Sequence, residues 1–422
     1  MSNNPKQPKK DDAVLGGAAP NQSGGVILGG LEGAKQRLNS TVVEARISAL
    51  AEAIDYGEAG LDLVVGALQD ESKQVRRQAY LLLRQRKELQ IVRALQEYKT
   101  WDLFERFYSP LNSLYSYDYV NIFGKREIKE FEPEIGISDT AGIAYAFRCE
   151  YDDFLEITDK LAGLLQDPQA SKLEALVFGP WVSLLESGDD SSALVNALVA
   201  AKEKLPNLKA LFLGDISGEE YEISWIRHCN ISPILKAYPN LEMLQIRGGD
   251  DLAFSPARQE NLEILVVETG GLSRETIAQI CALELPALEH LELWLGSDCY
   301  GGDSSIEDLM PILAGDLFPH LTYLGLRNSE YSDKIAAALV ESPILQQISI
   351  LDLSMGTLGD EGALALLDCP AINEIDILNV SENYLSEDSI EQLQELDCQV
   401  IADEQKEDEY EDEEERYCSV AE

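Results

Sequence analysis

From about residue 173 to residue 383 the apolar positions repeat one phrase, Leu-x-x-Leu-x-Leu. It runs LEALVF from Leu173, LKALFL from Leu208, LEMLQI from Leu241, LEILVV from Leu262 and LEHLEL from Leu288. LTYLGL follows from Leu321, ISILDL from Ile348 and the looser IDILNV from Ile375. Successive starts lie 35, 33, 21, 26, 33, 27 and 27 residues apart. Self-similarity at that period predicts stacked units that bury their apolar faces only against neighbours. Alternation inside the phrase predicts a short strand, its leucines facing the core and its x positions facing away. A proline stands two residues before the phrase at Pro206, Pro239, Pro286 and Pro319, where it ends a preceding helix. SRETIAQICALEL, SIEDLMPILAGDL and YSDKIAAALVES carry helical periodicity between strands. The unit is a strand plus a returning helix; the 21-residue spacing, with DDLAFSPARQE inside it, leaves room for a loop or single turn.

The pattern changes towards the amino end. Residues 1–38 are rich in Gly, Pro, Asn and Lys and are expected to form a flexible leader. From Ser40, Val43, Ile47, Leu50 and Ile54 recur at helical spacing, Tyr56-Gly57 stops that helix, and LDLVVGALQD makes a second. Asp70-Glu71-Ser72 opens a third, with Val75, Ala79, Leu82 and Leu83 on its apolar face. Residues 39–108 are therefore expected to be an all-α module. Across 109–170 the period switches to two: Ile143, Tyr145, Phe147, Cys149 and Tyr151 share a face, as a linker and amino-terminal cap of the solenoid would require. The solenoid itself is expected over 171–400. Residues 401–422 are expected to be a disordered acidic tail, eleven Asp/Glu against two Lys/Arg falling in 403–422.

The stretch LDLSMGTLGDEGALALL (351–367) resembles the ribonuclease-inhibitor class of leucine-rich repeats. The resemblance implies an α/β solenoid with parallel strands on a concave face and helices outside. DESKQVRRQAYLLLR carries the Asp, Val-Arg and Ala spacing of a HEAT repeat, and EAGLDLVVGALQDESKQVRRQAYLLLRQR resembles the HEAT modules related to phycobilin lyases. In such a unit the Asp caps the second helix and the Arg reaches a neighbouring repeat. YEISWI (221–226), SPILKAYPNLEMLQIRGG (232–249), ETGGLS, LELWLG and YLGLRNSEYSD resemble a family of uncharacterised bacterial leucine-rich-repeat proteins.

Charge and candidate chemistry narrow the function. The formal net charge is −43, and residues 111–422 carry all of it, 18 basic against 62 acidic, while residues 1–110 are close to neutral. So negative a surface disfavours nucleic acid and anionic membranes and favours a neutral or basic protein partner. No apolar run approaches the roughly 18 residues a membrane span needs. Seven scattered cysteines without Cys-x-x-Cys fit reduced thiols and a cytoplasmic location. Three histidines, His228, His290 and His320, form no ligand spacing, and phosphate-loop and nucleophile-elbow motifs are absent. The Gly-Gly pairs at 248–249, 270–271 and 301–302 suit turns. The expectation is a non-enzymatic interaction scaffold without cofactor or metal. The alternative, a phycobilin-lyase-like role handling a tetrapyrrole or its apoprotein, rests on the HEAT resemblance alone.

The x positions name a candidate face in three rows. The first is Ala175, Ala210, Met243, Ile264, His290, Tyr323, Ile350 and Ile377; the second is Val177, Phe212, Gln245, Val266, Glu292, Gly325, Asp352 and Asn379. The third is Gly179, Gly214, Arg247, Glu268, Trp294, Arg327, Ser354 and Ser381. Arg247, Glu268, His290, Glu292, Trp294, Tyr323 and Arg327 form the expected partner-binding patch, since exposed Arg, Trp and Tyr are common binding anchors. Trp181 and Trp225 are expected in core or cap roles.

Overall fold

The computed structural model describes residues 30–70, 72–83, 86–97, 119–149, 156–181, 189–407 and 416–421. The chain divides into two compact units, residues 1–102 and 103–422.

In the first unit the described helices are Gly30–Leu38, Val43–Ala53, Glu58–Gly66, Lys73–Leu83 and Leu89–Glu97. Ala34, Leu50, Ala53, Val64, Val75, Ala79, Leu83 and Ile91 close their core. Residues 30–38, expected as the end of a flexible leader, are instead a helix. Ala34 is buried in that core, and Arg37 pairs with Glu52 of the next helix. Gly57 adopts φ +65, which ends the short turn after Val43–Ala53 at the position the sequence indicates. Residues 1–29 lie outside the described part.

The second unit is built on one twelve-stranded sheet whose strands follow chain order. They are β1 (Ile122–Phe123), β2 (Arg126–Glu130), β3 (Ile143–Phe147), β4 (Ala175–Phe178), β5 (Ala210–Leu213) and β6 (Met243–Arg247). β7 (Ile264–Glu268), β8 (His290–Gly296), β9 (Tyr323–Ser329), β10 (Ile350–Asp352), β11 (Ile377–Asn379) and β12 (Gln399–Ile401) follow. β1 and β2 pair antiparallel and every later pair is parallel. A parallel ladder in chain order, with helices such as Arg274–Cys281, Ile306–Leu313 and Ser332–Leu339 between strands, fits a leucine-rich-repeat solenoid. No helix falls between β6 and β7, as the short spacing there requires. β12 adds a strand that the repeated phrase does not announce.

The leucines of the phrase supply the core on the helix side. Leu241, Leu244 and Ile246 are fully buried, as are Leu262, Leu265 and Val267, and the same cluster takes in Ile277, Ile280, Ile335 and Leu339 from the helices. Ile143, Tyr145, Phe147 and Cys149 join it, sharing the face that the alternation predicts; Tyr151 lies outside the described residues.

The opposite face of the sheet is a second packed layer. Phe123, Ala144, Ala146, Ala175, Val177, Ala210, Phe212, Met243, Ile264 and Val266 form one apolar cluster, with Val120 and Ile128 against it. Phe123 meets Phe212 with ring centroids 5.7 Å apart. Val120 and Phe123 thus pack over the face of β4–β7.

Candidate interaction surface

The register brings the expected rows together. Met243, Ile264, His290 and Tyr323 are successive Cα partners, as are Gln245, Val266, Glu292 and Gly325. Arg247 stands opposite Glu268, and Trp294 opposite Arg327. Their exposure is a correction to the sequence-based expectation. Arg247, Glu268, His290, Glu292, Trp294, Tyr323 and Arg327 are all buried, none more than 7% exposed. Alternation fixes which face a side chain takes, but not whether that face meets water.

Buried charge persists only when paired and hydrogen-bonded, and these residues satisfy one another. Glu292 is the hub. Its Oε1 accepts from Trp294 Nε1 at 2.8 Å and from Arg327 Nη1 at 2.8 Å, while its Oε2 lies 3.3 Å from His290 Nε2. The Tyr323 hydroxyl donates to Asp352 Oδ2 at 2.8 Å, and its ring stacks on His290 with centroids 3.8 Å apart. Arg327 also donates through Nε to Ser354 Oγ at 2.9 Å and lies over the Trp294 ring at 5.4 Å. A smaller group joins Arg247 Nε to Glu268 Oε2 at 2.8 Å and Gln245 Nε2 to Glu268 Oε1 at 2.6 Å.

Electrostatics in the larger cluster follow from counting charges. Two carboxyls, Glu292 and Asp352, share one guanidinium, Arg327. Burial, and then the nearby Asp352 charge, push the Glu292 carboxyl up to about 8, so at neutral pH it retains a proton. Burial drives His290 down to about 3, which keeps its imidazole uncharged. His228 is likewise buried, between Ser191 Oγ at 3.2 Å and the Arg247 carbonyl at 2.9 Å, and is driven down to about 4. No group of His, Cys, Asp and Glu among the described residues is arranged to hold a metal ion.

At the carboxyl ends of the strands the loops form a polar rim. A pocket of about 380 Å³ opens there, lined in part by Ser224, Asp250, Asp251, Gly271, Glu275 and Tyr300. Trp225 follows Ser224 on the short turn Ile223–Trp225 and is 58% exposed, its Nε1 donating to Glu222 Oε2 at 2.7 Å. The core or cap role expected of Trp181 agrees with its burial; that expected of Trp225 does not.

The same rim holds residues 416–421, which were expected in a disordered tail. Tyr417 N donates to the Tyr384 hydroxyl at 3.0 Å, and Tyr417 O accepts from Lys406 Nζ at 2.8 Å. Ser419 N donates to Met355 O at 2.8 Å. The Asn328 amide brackets Val420, its Oδ1 accepting from Val420 N at 2.8 Å and its Nδ2 donating to Val420 O. Ala421 O accepts from Ser224 Oγ. The segment therefore crosses the ends of successive strands against chain order. The physical reason is that main-chain groups, the buried Cys418 and the apolar Val420 make most of the contacts, with Arg416 paired to Asp333; the acidic run 408–415 lies outside the described residues.

Gly270 carries a trace of this path. A Cβ there would overlap Ser224 Oγ and Ala421 O, although its backbone does not take the left-handed region. Gly248 and Gly301, with φ of +107 and +94, are the turn glycines the sequence suggested. Sequence reasoning missed Ser224, Asn328, Met355, Tyr384 and Lys406 as a surface. Gly270, read from the sequence as a turn glycine, has no left-handed φ, and its lack of a side chain serves this path instead.

No family model matches the chain, and no curated protein matches it. Among solved structures, a Bacteroides fragilis protein determined by a structural genomics consortium is 33% identical, with a TM-score of 0.59 over 62% of this chain and 74% of that one. A complex of TLR13 with a single-stranded RNA is 15% identical, with a TM-score of 0.31 over 61% of this chain and 38% of that one. An internalin of Listeria monocytogenes is 13% identical, with a TM-score of 0.26 over 56% of each chain. No helix among the described residues is long and apolar enough to cross a membrane. At the identity and coverage it shares with the Bacteroides fragilis protein, this chain belongs to the same family as that protein.

Proposed function

We propose that this chain is a non-enzymatic protein-interaction scaffold whose contact surface is the strand-end rim beside Trp225. The observation that carries the reading is an indole 58% exposed on the turn that borders the 380 Å³ pocket. Tryptophan brings large contact area at low entropic cost, which is why binding surfaces favour it. Asp250, Asp251 and Glu275 line the pocket, which favours a neutral or basic partner. The reading is supported by the Glu292 cluster, whose ionisable groups are buried and hydrogen-bonded within the fold.

The helical unit is proposed to be HEAT-like. Asp70 Oδ1 accepts from Ser72 N at 2.8 Å and lies 3.2 Å from Arg46 Nη2, while Arg76 Nη1 donates to Asp70 O at 2.7 Å. That Asp-centred join ties the helix Val43–Ala53 to the start of Lys73–Leu83, past the intervening Glu58–Gly66, and supports the HEAT-like reading.

The test is affinity capture with the full chain. Trp225→Ala is expected to keep wild-type stability within about 0.5 kcal/mol, as exposed substitutions do. It is expected to weaken a stoichiometric protein partner at least tenfold. Unchanged partner affinity would sink the rim proposal.

A further inference from the structure

The strand-end rim is more than a loop surface: it is a groove that already contains an extended peptide. We propose that it is a peptide-binding site for an extended segment with small apolar side chains at alternate positions, and that residues 416–421 are its tethered resident. Such a site would be opened to an external segment when the resident leaves. Its purpose rests on the scaffold reading, but its peptide binding does not.

Three observations converge. First, recognition is through the peptide main chain. Tyr417 N and O, Ser419 N, Val420 N and O, and Ala421 O are each bonded by groups of the rim, namely Tyr384, Lys406, Met355, Asn328 and Ser224. This is how a protein binds an extended segment: backbone bonds hold it, and side-chain pockets at alternate residues select it.

Second, the selecting positions are visible. Cys418 is buried with its thiol 3.7 Å from Gly296 O, and Val420 packs against the core of the sheet unit. Tyr417 between them is 62% exposed. The groove thus requires small apolar side chains at residues 418 and 420 and tolerates a large one at 417.

Third, the groove is shaped to take a strand of chain. Asn328 holds φ +52 while its amide spans both Val420 main-chain groups, and Gly270 is free of a Cβ where Ala421 O passes. An asparagine that brackets one residue's N–H and C=O mimics a neighbouring strand. Beyond Ala421 the groove runs into the 380 Å³ pocket, which shares Ser224 with it.

A tethered peptide competes at an effective concentration of roughly millimolar for a short linker, so an external peptide meets a largely occupied groove. The test therefore loosens the resident without touching the groove. Val420→Pro in the full chain removes the N–H given to Asn328 and lies outside every strand and helix of the solenoid. The probe is a fluorescent, end-capped peptide of residues 416–421, read by anisotropy.

The Val420→Pro chain is expected to bind this peptide at least tenfold more tightly than the wild-type chain does. A probe peptide that itself carries proline at the 420 position is expected to bind neither. Mapped alkylation supplies the second measurement: in the wild-type chain Cys418 is expected to react at least tenfold more slowly than the exposed Cys299, and faster in Val420→Pro. Failure of the peptide to bind either chain, equal binding to both, or equal alkylation of Cys418 and Cys299 in the wild-type chain would each overturn the proposal. A chain that binds the peptide but has no partner lost on Trp225→Ala would refute the scaffold reading alone.

Discussion

Replacing Glu292 by glutamine tests the charge count of the buried cluster. Glu292 sits beside Asp352 with one guanidinium between them, and its carboxyl is held at about 8 against an ordinary value of 4.5. A group whose folded pKa is raised is protonated in the fold while ionised in the unfolded chain. Between pH 4.5 and 8 the folded state therefore binds more protons, and stability falls as pH rises. At 1.36 kcal/mol per pH unit, the loss attributable to Glu292 reaches at most about 3 kcal/mol by pH 7.

Glutamine keeps the shape of the protonated side chain and cannot ionise. Its carbonyl accepts from Trp294 and Arg327 as Oε1 does now, and its amide faces His290 and Tyr323. Near pH 5 the variant is expected to lie within about 1 kcal/mol of wild type, the net worth of a hydrogen bond. As pH rises to 8 it should become the more stable of the two, by up to a few kcal/mol. Urea unfolding followed by tryptophan fluorescence at pH 5, 6, 7 and 8 measures this, and the difference between the two chains cancels every other carboxylate. A loss of about 3–5 kcal/mol at pH 7 would refute the reasoning, because that is the cost of breaking an ionised buried pair.

The companion substitution Arg327→Met leaves Glu292 and Asp352 buried without their shared cation, and is expected to cost about 3–5 kcal/mol at pH 7 in the same unfolding assay. The loss should shrink on acidification; a loss below about 1 kcal/mol would show the guanidinium to be dispensable. Lys406 makes tail docking pH-dependent. Burial drives its ammonium down to about 8, with Tyr384, Arg416, Glu382 and Cys418 around it and the Cys418 thiol pushed up to about 12. The undocked lysine, nearer its ordinary 10.5, then binds more protons, so docking should strengthen as pH rises from about 7.5 to 8.5, below the range in which ionisation of the undocked Cys418 thiol, ordinarily at 9.0, opposes it. The affinity of the Val420→Pro chain for the 416–421 peptide follows this directly, and weakening over that interval would contradict it.

How much of this was legible in the sequence depends on which physical interaction decided each feature. The strands β4 to β11 and the order of the three rows were set locally, because period-two alternation and a leucine at each fixed place specify face and register within one unit. Thus the pairing of Arg247 with Glu268 and of Trp294 with Arg327 was available from spacing alone. Burial of those same residues was not, since it depends on what lies over the sheet. Phe123 belongs to no repeat, yet it packs on Phe212, 89 positions later in the sequence. Likewise, acidic composition suggested that 401–422 stays in water, but residues 416–421 are held by backbone groups, and every residue other than proline carries the same donor and acceptor. Sequence by itself thus determined the repeating unit and its inner face. Only the tertiary structure decided which outer positions meet water and where the chain lays its final segment, because both follow from contacts between residues far apart along the chain.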